Sequence, residues 1–316
     1  MEYIGLAAQQ RRNNILSAVL LAGFPLLILT LVFIFFLIIQ YEYGMEEVVY
    51  SFLGAVPIVI LVVGIWFIIA FFFHSQIISA AAGSQQLERK TNPRVYNLVE
   101  NLCISQGMAM PKVRIIEDRA LNAFASGINE RTYTITLTRG IIDELNDEEL
   151  EGVIAHELMH IRNRDVRLLI ISIVFVGILA FVSEFAFRVL IRGGGRARSS
   201  KGGKNSGAPI MLLILVLALV GYFIAILFKF ALSRKREYLA DAGAADMTKN
   251  PLALASALRK VSKNYRVKSV KSAEVAELFL ENRKVEGEGF SLGNIFHNLF
   301  ATHPPIEKRI AFLEQV

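Results

Sequence analysis

Ile15 to Ile39 runs 25 residues without a charge, and Val48 to Phe73 runs another 26. A helix rises 1.5 Å per residue, so either run is long enough to cross a hydrocarbon core of about 30 Å. Backbone in lipid must satisfy its own hydrogen bonds, which leaves helix as the conformation available to a single run. A cleaved signal peptide carries only about 7–15 apolar residues and ends at small ones. The first run instead ends in Gln40-Tyr41-Glu42, so it reads as an uncleaved span. Leu168–Ile191 and Ala208–Phe228 are two further apolar runs, which makes four expected spans. The composition agrees, with 54% hydrophobic and only 20% charged residues. Pro25 and Pro57 fall inside the first two runs, where neighbouring helices tolerate a kink.

The spans divide the chain. Residues 1–75 carry the first two. Residues 76–167 read as a first soluble part, and residues 168–232 as two spans joined by a Gly-, Ser-, Arg- and Lys-rich connector. Residues 233–316 read as a second soluble part. In the first soluble part, residues 76–90 continue as a helix. Asn92-Pro93 starts another, and Val113–Ile116 is a short strand. Tyr133-Thr134-Ile135-Thr136-Leu137 alternates strictly, the pattern of a half-exposed strand. Leu121–Gly127 is a further strand, joined to it by a turn over Gly127–Arg131. Asn146 with Glu149 three residues on forms a capping box that opens the next helix. Cys103 is the only cysteine, which excludes an intrachain disulfide framework and a thiolate zinc cluster.

Positive charge sets the orientation. Arg11, Arg12, Arg89, Lys90, Arg162, Arg164, Arg167 and the Arg234–Arg236 cluster flank span ends on one side. Glu42, Glu46 and Glu47 lie on the other. Both termini and both soluble parts are therefore expected in the cytoplasm. The net charge of +6 belongs to this membrane bias and does not indicate nucleic-acid binding. Arg192, Arg196, Arg198, Lys201 and Lys204 run against the rule, because they would face outside. Glu184 and Arg188 stand four apart near the end of the third run, acid first, the favourable order for a helical ion pair.

The helix opened by Asn146 contains His156-Glu157-Leu158-Met159-His160. Two histidines one turn apart share a helix face and can fill two corners of a zinc tetrahedron. Glu157 is rotated away from that face, towards a water and not the metal, which suits a general base. A catalytic zinc also needs a third protein donor and an open position. Glu237, Asp241 and His303 are the candidates. Glu237 and Asp241 lie one turn apart, so one can bind zinc while the other accepts the free N–H of a ligand imidazole. Two crossings after His160 return the chain to the side it left, which favours this pair.

His156-Glu157-x-x-His160, Ser233-Arg234-x-Arg236-Glu237-Tyr238-x-Ala240-Asp241 and Thr302-His303-Pro304-Pro305 together resemble the HtpX-like membrane zinc endopeptidases, relatives of the CAAX prenyl endopeptidases. The resemblance covers nearly the whole chain. It implies a mainly α, four-span membrane protein with a zincin-like cytoplasmic α+β protease domain, in which a small sheet lies beside the His-Glu-x-x-His helix. It implies one Zn2+ per chain on His156, His160 and Glu237, with Glu157 as catalytic acid/base. Asp241 would support a ligand, Arg309 would support the site, and His303 would help hold the oxyanion. Asn122, Ala123, Phe124 and Ala125 look like part of an edge strand that binds an extended peptide. The implied substrates are damaged or misfolded membrane proteins, cut at the cytoplasmic face of the inner membrane. The implied partners are thus polypeptides and the lipid bilayer.

Three rival functions differ in single features. An intramembrane protease would carry the histidines inside an apolar run, whereas Asp147, Glu148, Glu149, Arg162, Arg164 and Asp165 bracket them. A zinc-binding scaffold or sensor has no use for Glu157. A prenyl-protein processing enzyme of the related kind has more spans.

Overall fold

The computed structural model describes residues 6–196, 208–231, 234–267, 278–280 and 304–316, and the long apolar runs in it are helices. Helix α1 covers Leu6–Gln40 and α2 covers Met45–Ala81, with Pro25 and Pro57 inside them. Helix α6 covers Asp165–Arg196 and α7 covers Ala208–Ala231. Ala7–Tyr43, Met45–Ala81 and Asp165–Ile191 are long and apolar enough to cross a membrane, and Pro209–Ala225 is a shorter apolar helix. The connector at 197–207 lies outside the described residues.

The chain forms two units. One holds Ser17–Phe72 and Ile171–Lys229, the four apolar helices. Its centre is Phe24 stacked on Phe175, ring centroids 4.1 Å apart, with Ile171, Ile178 and Leu179 around them. The outer faces stay apolar, with Ile58 65% and Phe223 54% exposed. In water such a surface would drive aggregation, and in hydrocarbon it matches the solvent. Glu184 and Arg188 form the expected ion pair, with Arg188 Nε donating to Glu184 Oε1 at 3.2 Å.

The other unit holds Met1–Leu16, Phe73–Ile170 and Phe230–Val316. Its sheet has the order β1-β2-β4-β3, with β1 at Gln85–Gln86, β2 at Lys112–Ile116, β3 at Ala123–Ser126 and β4 at Thr134–Thr138. β2 and β4 run parallel, and the other pairs are antiparallel. Two expectations fail here. Gln85 and Gln86 are not helical: α2 stops at Ala81, Gly83 takes the left-handed φ of 62°, and the turn delivers both glutamines to β2. β4 is not half-exposed, since all five of its residues are buried between two neighbouring strands. Thr134 and Thr138 go inside with backbone partners for their hydroxyls: Thr134 Oγ1 donates to Thr132 O (3.1 Å) and Thr138 Oγ1 to Ala120 O (2.6 Å). The β3–β4 turn needs Gly127 at φ 114°, where a Cβ would stand 2.5 Å from the Thr132 carbonyl oxygen.

Helix α3, Pro93–Gln106, starts at Asn92, whose side chain accepts from Val95 N. Helix α4, Arg139–Glu144, links the sheet to α5, Asp147–Arg162. Helices α8, Arg234–Thr248, and α9, Pro251–Val261, pack on α5, and α10, Ile306–Leu313, packs on α8 and α9. The capping box of α5 is complete: Glu149 N donates to Asn146 Oδ1 (2.9 Å) and Asn146 N to Glu149 Oε2 (3.1 Å). Glu149 also accepts from Lys260 Nζ and Ser256 Oγ on α9, each at 2.7 Å, so one carboxylate ties the start of α5 to its neighbour.

Burial alone would raise the Glu149 pKa, but the bonds from Lys260, Ser256 and Asn146 outweigh it and hold the group below its ordinary 4.5. The ionised form is thus favoured in the folded state. Its contribution is present in full above the unfolded-state pKa and is lost as pH falls through the depressed folded value. Glu149→Gln is expected to cost about 1–2 kcal/mol at neutral pH. It should also flatten the fall of the urea midpoint as pH drops below about 5. An acid-dependence identical to that of the wild type would contradict this account.

Candidate metal centre

The capping box fixes where α5 begins, and three turns on the helix turns His156 and Glu157 inwards, 1% and 2% exposed. His160 follows one turn later. Helix α8 faces it with Glu237 and Asp241, again one turn apart, 5% and 0% exposed. His156 Nε2 lies 3.1 Å from His160 Nε2 and 3.7 Å from Glu237 Oε2, and His160 Nε2 lies 3.6 Å from Glu237 Oε1. Bonds of about 2.0–2.1 Å in a tetrahedron put donor atoms roughly 3.3 Å apart. The three separations bracket that value, so the donor set fits one zinc-sized cation.

The charge balance around His156 gives the same answer. Burial and the Arg309 guanidinium push its pKa down, yet hydrogen bonds with Asp241 and Glu237 overcome both and raise it to about 9. Carboxylates that hold a proton on a fully buried imidazole are carboxylates that favour a cation at that place. Two other carboxyls are driven apart. Burial raises Glu157, with Glu237 adding to it and both histidines and Arg309 opposing. Burial raises Asp241 too, but Arg309 and His156 outweigh it and leave the group below its ordinary value. Environments that separate two neighbouring carboxyls in this way suit one for proton transfer and the other for permanent charge.

Each imidazole is held from behind by an acid. His156 Nδ1 donates to Asp241 Oδ1 at 2.9 Å, and His160 Nδ1 to Asp165 Oδ2 at 3.3 Å. This turns both Nε2 atoms towards the centre, where Arg309 Nη2 also lies 3.3 Å from His156 Nε2. Asp241 is gripped by Arg309 through two bonds, Nε to Oδ2 at 2.9 Å and Nη2 to Oδ1 at 2.7 Å. Arg309 is completely buried, reaches within 3.5 Å of Glu237 Oε2, and donates from Nη1 to the Leu280 carbonyl at 3.3 Å. Asp165 accepts from Asn13 Nδ2 at 2.5 Å, and Asn13 also donates to the Asn163 carbonyl at 2.8 Å.

The structure therefore brings together His156, Glu157, His160, Glu237, Asp241 and Arg309. His303 lies outside the described residues. Asn122, Ala123, Phe124 and Ala125 are buried along β3, the edge strand that packs on α5. The Asn122 side chain is engaged locally, donating to Tyr265 O (2.8 Å) and accepting from Ala123 N (3.0 Å). Asp165 and Asn13 are the residues that sequence reasoning missed. Asp165 sits five positions after His160, where it can be found once a partner for the second imidazole is sought. Asn13 carries no sequence signal. Asp165→Asn is expected to weaken zinc affinity by about 10–100-fold. Competition with a coloured chelator measures this, and an unchanged affinity would reduce Asp165 to a structural role.

The sequence pattern of peptidase family M48 matches residues 89–316. Two proteins named "Protease HtpX homolog", from Bacteroides fragilis strains YCH46 and ATCC 25285, are each 54% identical to this chain, with 100% of both partners covered. A protein of the same name from Tropheryma whipplei strain Twist is 37% identical over 78% of this chain and 81% of its own. The crystal structure of S. mikatae Ste24p matches at 17% identity and a TM-score of 0.49, covering 96% of this chain and 67% of that one. The family pattern takes in every residue gathered around the three donors except Asn13, and the chain belongs to peptidase family M48.

Proposed function

We propose that this membrane protease hydrolyses peptide bonds as a zinc endopeptidase, with one Zn2+ held by His156, His160 and Glu237. The observation that carries this reading is Glu157. It is a fully buried carboxyl of raised pKa beside a three-donor group to which it contributes no donor. A purely structural metal site has no need of it.

A zinc ion in this site supplies Lewis acidity, polarising a carbonyl oxygen and acidifying water. Glu157 takes the proton of the attacking water and hands it to the leaving amine, a transfer for which a raised pKa is suited. Asp241 and Asp165 keep both imidazoles in the tautomer with Nε2 bare, and Arg309 keeps Asp241 charged. His303, in the Thr302–Pro305 segment, serves as a donor to the tetrahedral oxyanion.

The substrate lies along β3. Thr138 N donates to Asn122 O, so Asn122, Phe124 and Ser126 turn their backbone groups towards β4, and Ala123 and Ala125 turn theirs outward. The Ala123 carbonyl accepts from Leu280 N at 2.7 Å. The outward groups of Ala125 suit a peptide added as a further strand, a mode in which main-chain bonds give affinity and side chains matter little. Such reading fits damaged or misfolded membrane proteins as substrates. We place the site at the cytoplasmic face of the inner membrane, with four spans and both termini cytoplasmic, on the positive-inside pattern.

Purified full chain should carry one zinc per chain. Chelation should abolish cleavage of a denatured test protein and added zinc should restore it. Full cleavage by metal-stripped enzyme would overturn the reading.

A further inference from the structure

A cavity of about 600 Å³ opens at the junction of α5 and α6, and none of its lining residues belongs to the metal centre. Four of them are arginines, Arg131, Arg162, Arg164 and Arg167, against one acid, Glu130. Arg162, Arg164 and Arg167 are half-buried. Among the described residues none of the four forms an ion pair. Arg162 donates to the Gln106 side chain at 2.7 Å and Arg164 to that of Asn14 at 3.2 Å, both neutral amides. Partly buried guanidinium groups are ordinarily matched by carboxylates; Asp246 lies within electrostatic reach of Arg162, and with Glu130 that makes two acids against four arginines, an excess of positive charge. Arg164 adds a second sign of purpose. It stands at φ 61°, in the left-handed region that favours glycine or asparagine, yet it places a long cationic side chain on the cavity wall. The arginines share one space: burial raises the Tyr133 hydroxyl, and both Arg164 and Arg167 oppose that rise.

Two lining residues also stand close along the chain to apolar runs. Gln10 lines the cavity from α1, a few residues before the uncharged run that begins at Ile15. Arg167 lines it from α6, directly before Leu168 and the third apolar run. Both residues thus stand on the polar flank of an apolar run, the part of a span that meets lipid headgroups. Met108, Ala109 and Ile128 give part of the wall an apolar surface.

We propose that this cavity binds the headgroup phosphate of an anionic phospholipid. The guanidinium groups take the phosphate oxygens through paired N–H bonds, the geometry in which arginine surpasses lysine. The apolar wall takes the glycerol and the first acyl carbons. A soluble phosphate shares the charge but has nothing to set against Met108 and Ile128.

The test is native mass spectrometry of the delipidated full chain in detergent. It is titrated with phosphatidylglycerol and with phosphatidylcholine of identical acyl chains. One phosphatidylglycerol is expected to bind about tenfold more tightly than phosphatidylcholine. The double variant Arg131→Gln/Arg167→Gln should lose that preference. Arg139→Gln, which removes a half-buried arginine paired with Glu117 and outside the cavity lining, should keep it. Arg167→Lys should retain part of it, and the single Arg131→Gln, at an exposed turn, gives the reading if the double variant fails to fold. Equal binding of the two lipids overturns the proposal, as does a preference that survives both variants at Arg131. Complete displacement by millimolar inorganic phosphate would assign the cavity to a soluble anion and overturn the lipid source. Displacement by a polyglutamate peptide would assign it to acidic protein segments and equally overturn it.

Discussion

Glu157→Gln is expected to keep its zinc and lose proteolysis. Glutamine matches the carboxylate in shape but cannot accept the proton that must leave the attacking water. General acid–base transfer is worth about 10²–10⁴-fold, and the proposed mechanism uses Glu157 at both ends of the reaction, so a loss near the upper figure is expected in kcat. Metal content should stay at the wild-type level, because the three proposed donors are His156, His160 and Glu237. The pairing of outcomes is what matters. Lost activity with lost zinc would make Glu157 a structural part of the centre. Unchanged cleavage of a denatured test protein would sink the mechanism.

The second large effect falls on Arg309. Its side chain is fully buried, and so is that of Asp241, which it holds by two hydrogen bonds. Arg309→Ala strands an anion in the interior. Removing one partner of a buried pair costs about 3–5 kcal/mol, because the other charge is left without compensation. Urea unfolding in detergent micelles should show a midpoint shifted by an amount of that order. Zinc affinity should fall with it, since Asp241 then no longer fixes His156. Arg309→Lys keeps the charge but loses the fork, and should fall between. In Arg309→Ala/Asp241→Asn the stranded charge is gone, so the double variant should be less destabilised than the sum of the single ones. Full additivity would show that the two residues act independently.

Some of the centre was legible because a single helical rule governs it. His156, Glu157 and His160 are placed by spacing alone, and the capping box at Asn146 and Glu149 marks where their helix starts. Glu237 and Asp241 needed one further step, that two crossings return the chain to its starting side. Arg309 came only from resemblance. Nothing local distinguishes it from a surface arginine, and its burial depends on α10 packing against α8 and α9. Asn13 and Asp165 lie 152 positions apart, and their contact depends on how the start of α1 meets the α5–α6 turn, which no periodicity encodes. The errors in the sheet have a common source. Polarity points Gln85–Gln86 to a helix and the β4 threonines to solvent, whereas a left-handed glycine decides the first and backbone acceptors for the Thr134 and Thr138 hydroxyls bear on the second.

The order of the donors along the chain has a consequence for biogenesis. A ribosome delivers His156 and His160 with α1 and α2 the only long apolar helices already made, and Glu237 emerges after α6 and α7. A nascent chain between those two moments holds two of the three proposed donors. With the proposed donors, assembly of the centre waits on completion of the apolar helices, and a half-synthesised copy is expected to leave the unfolded chains around it uncut.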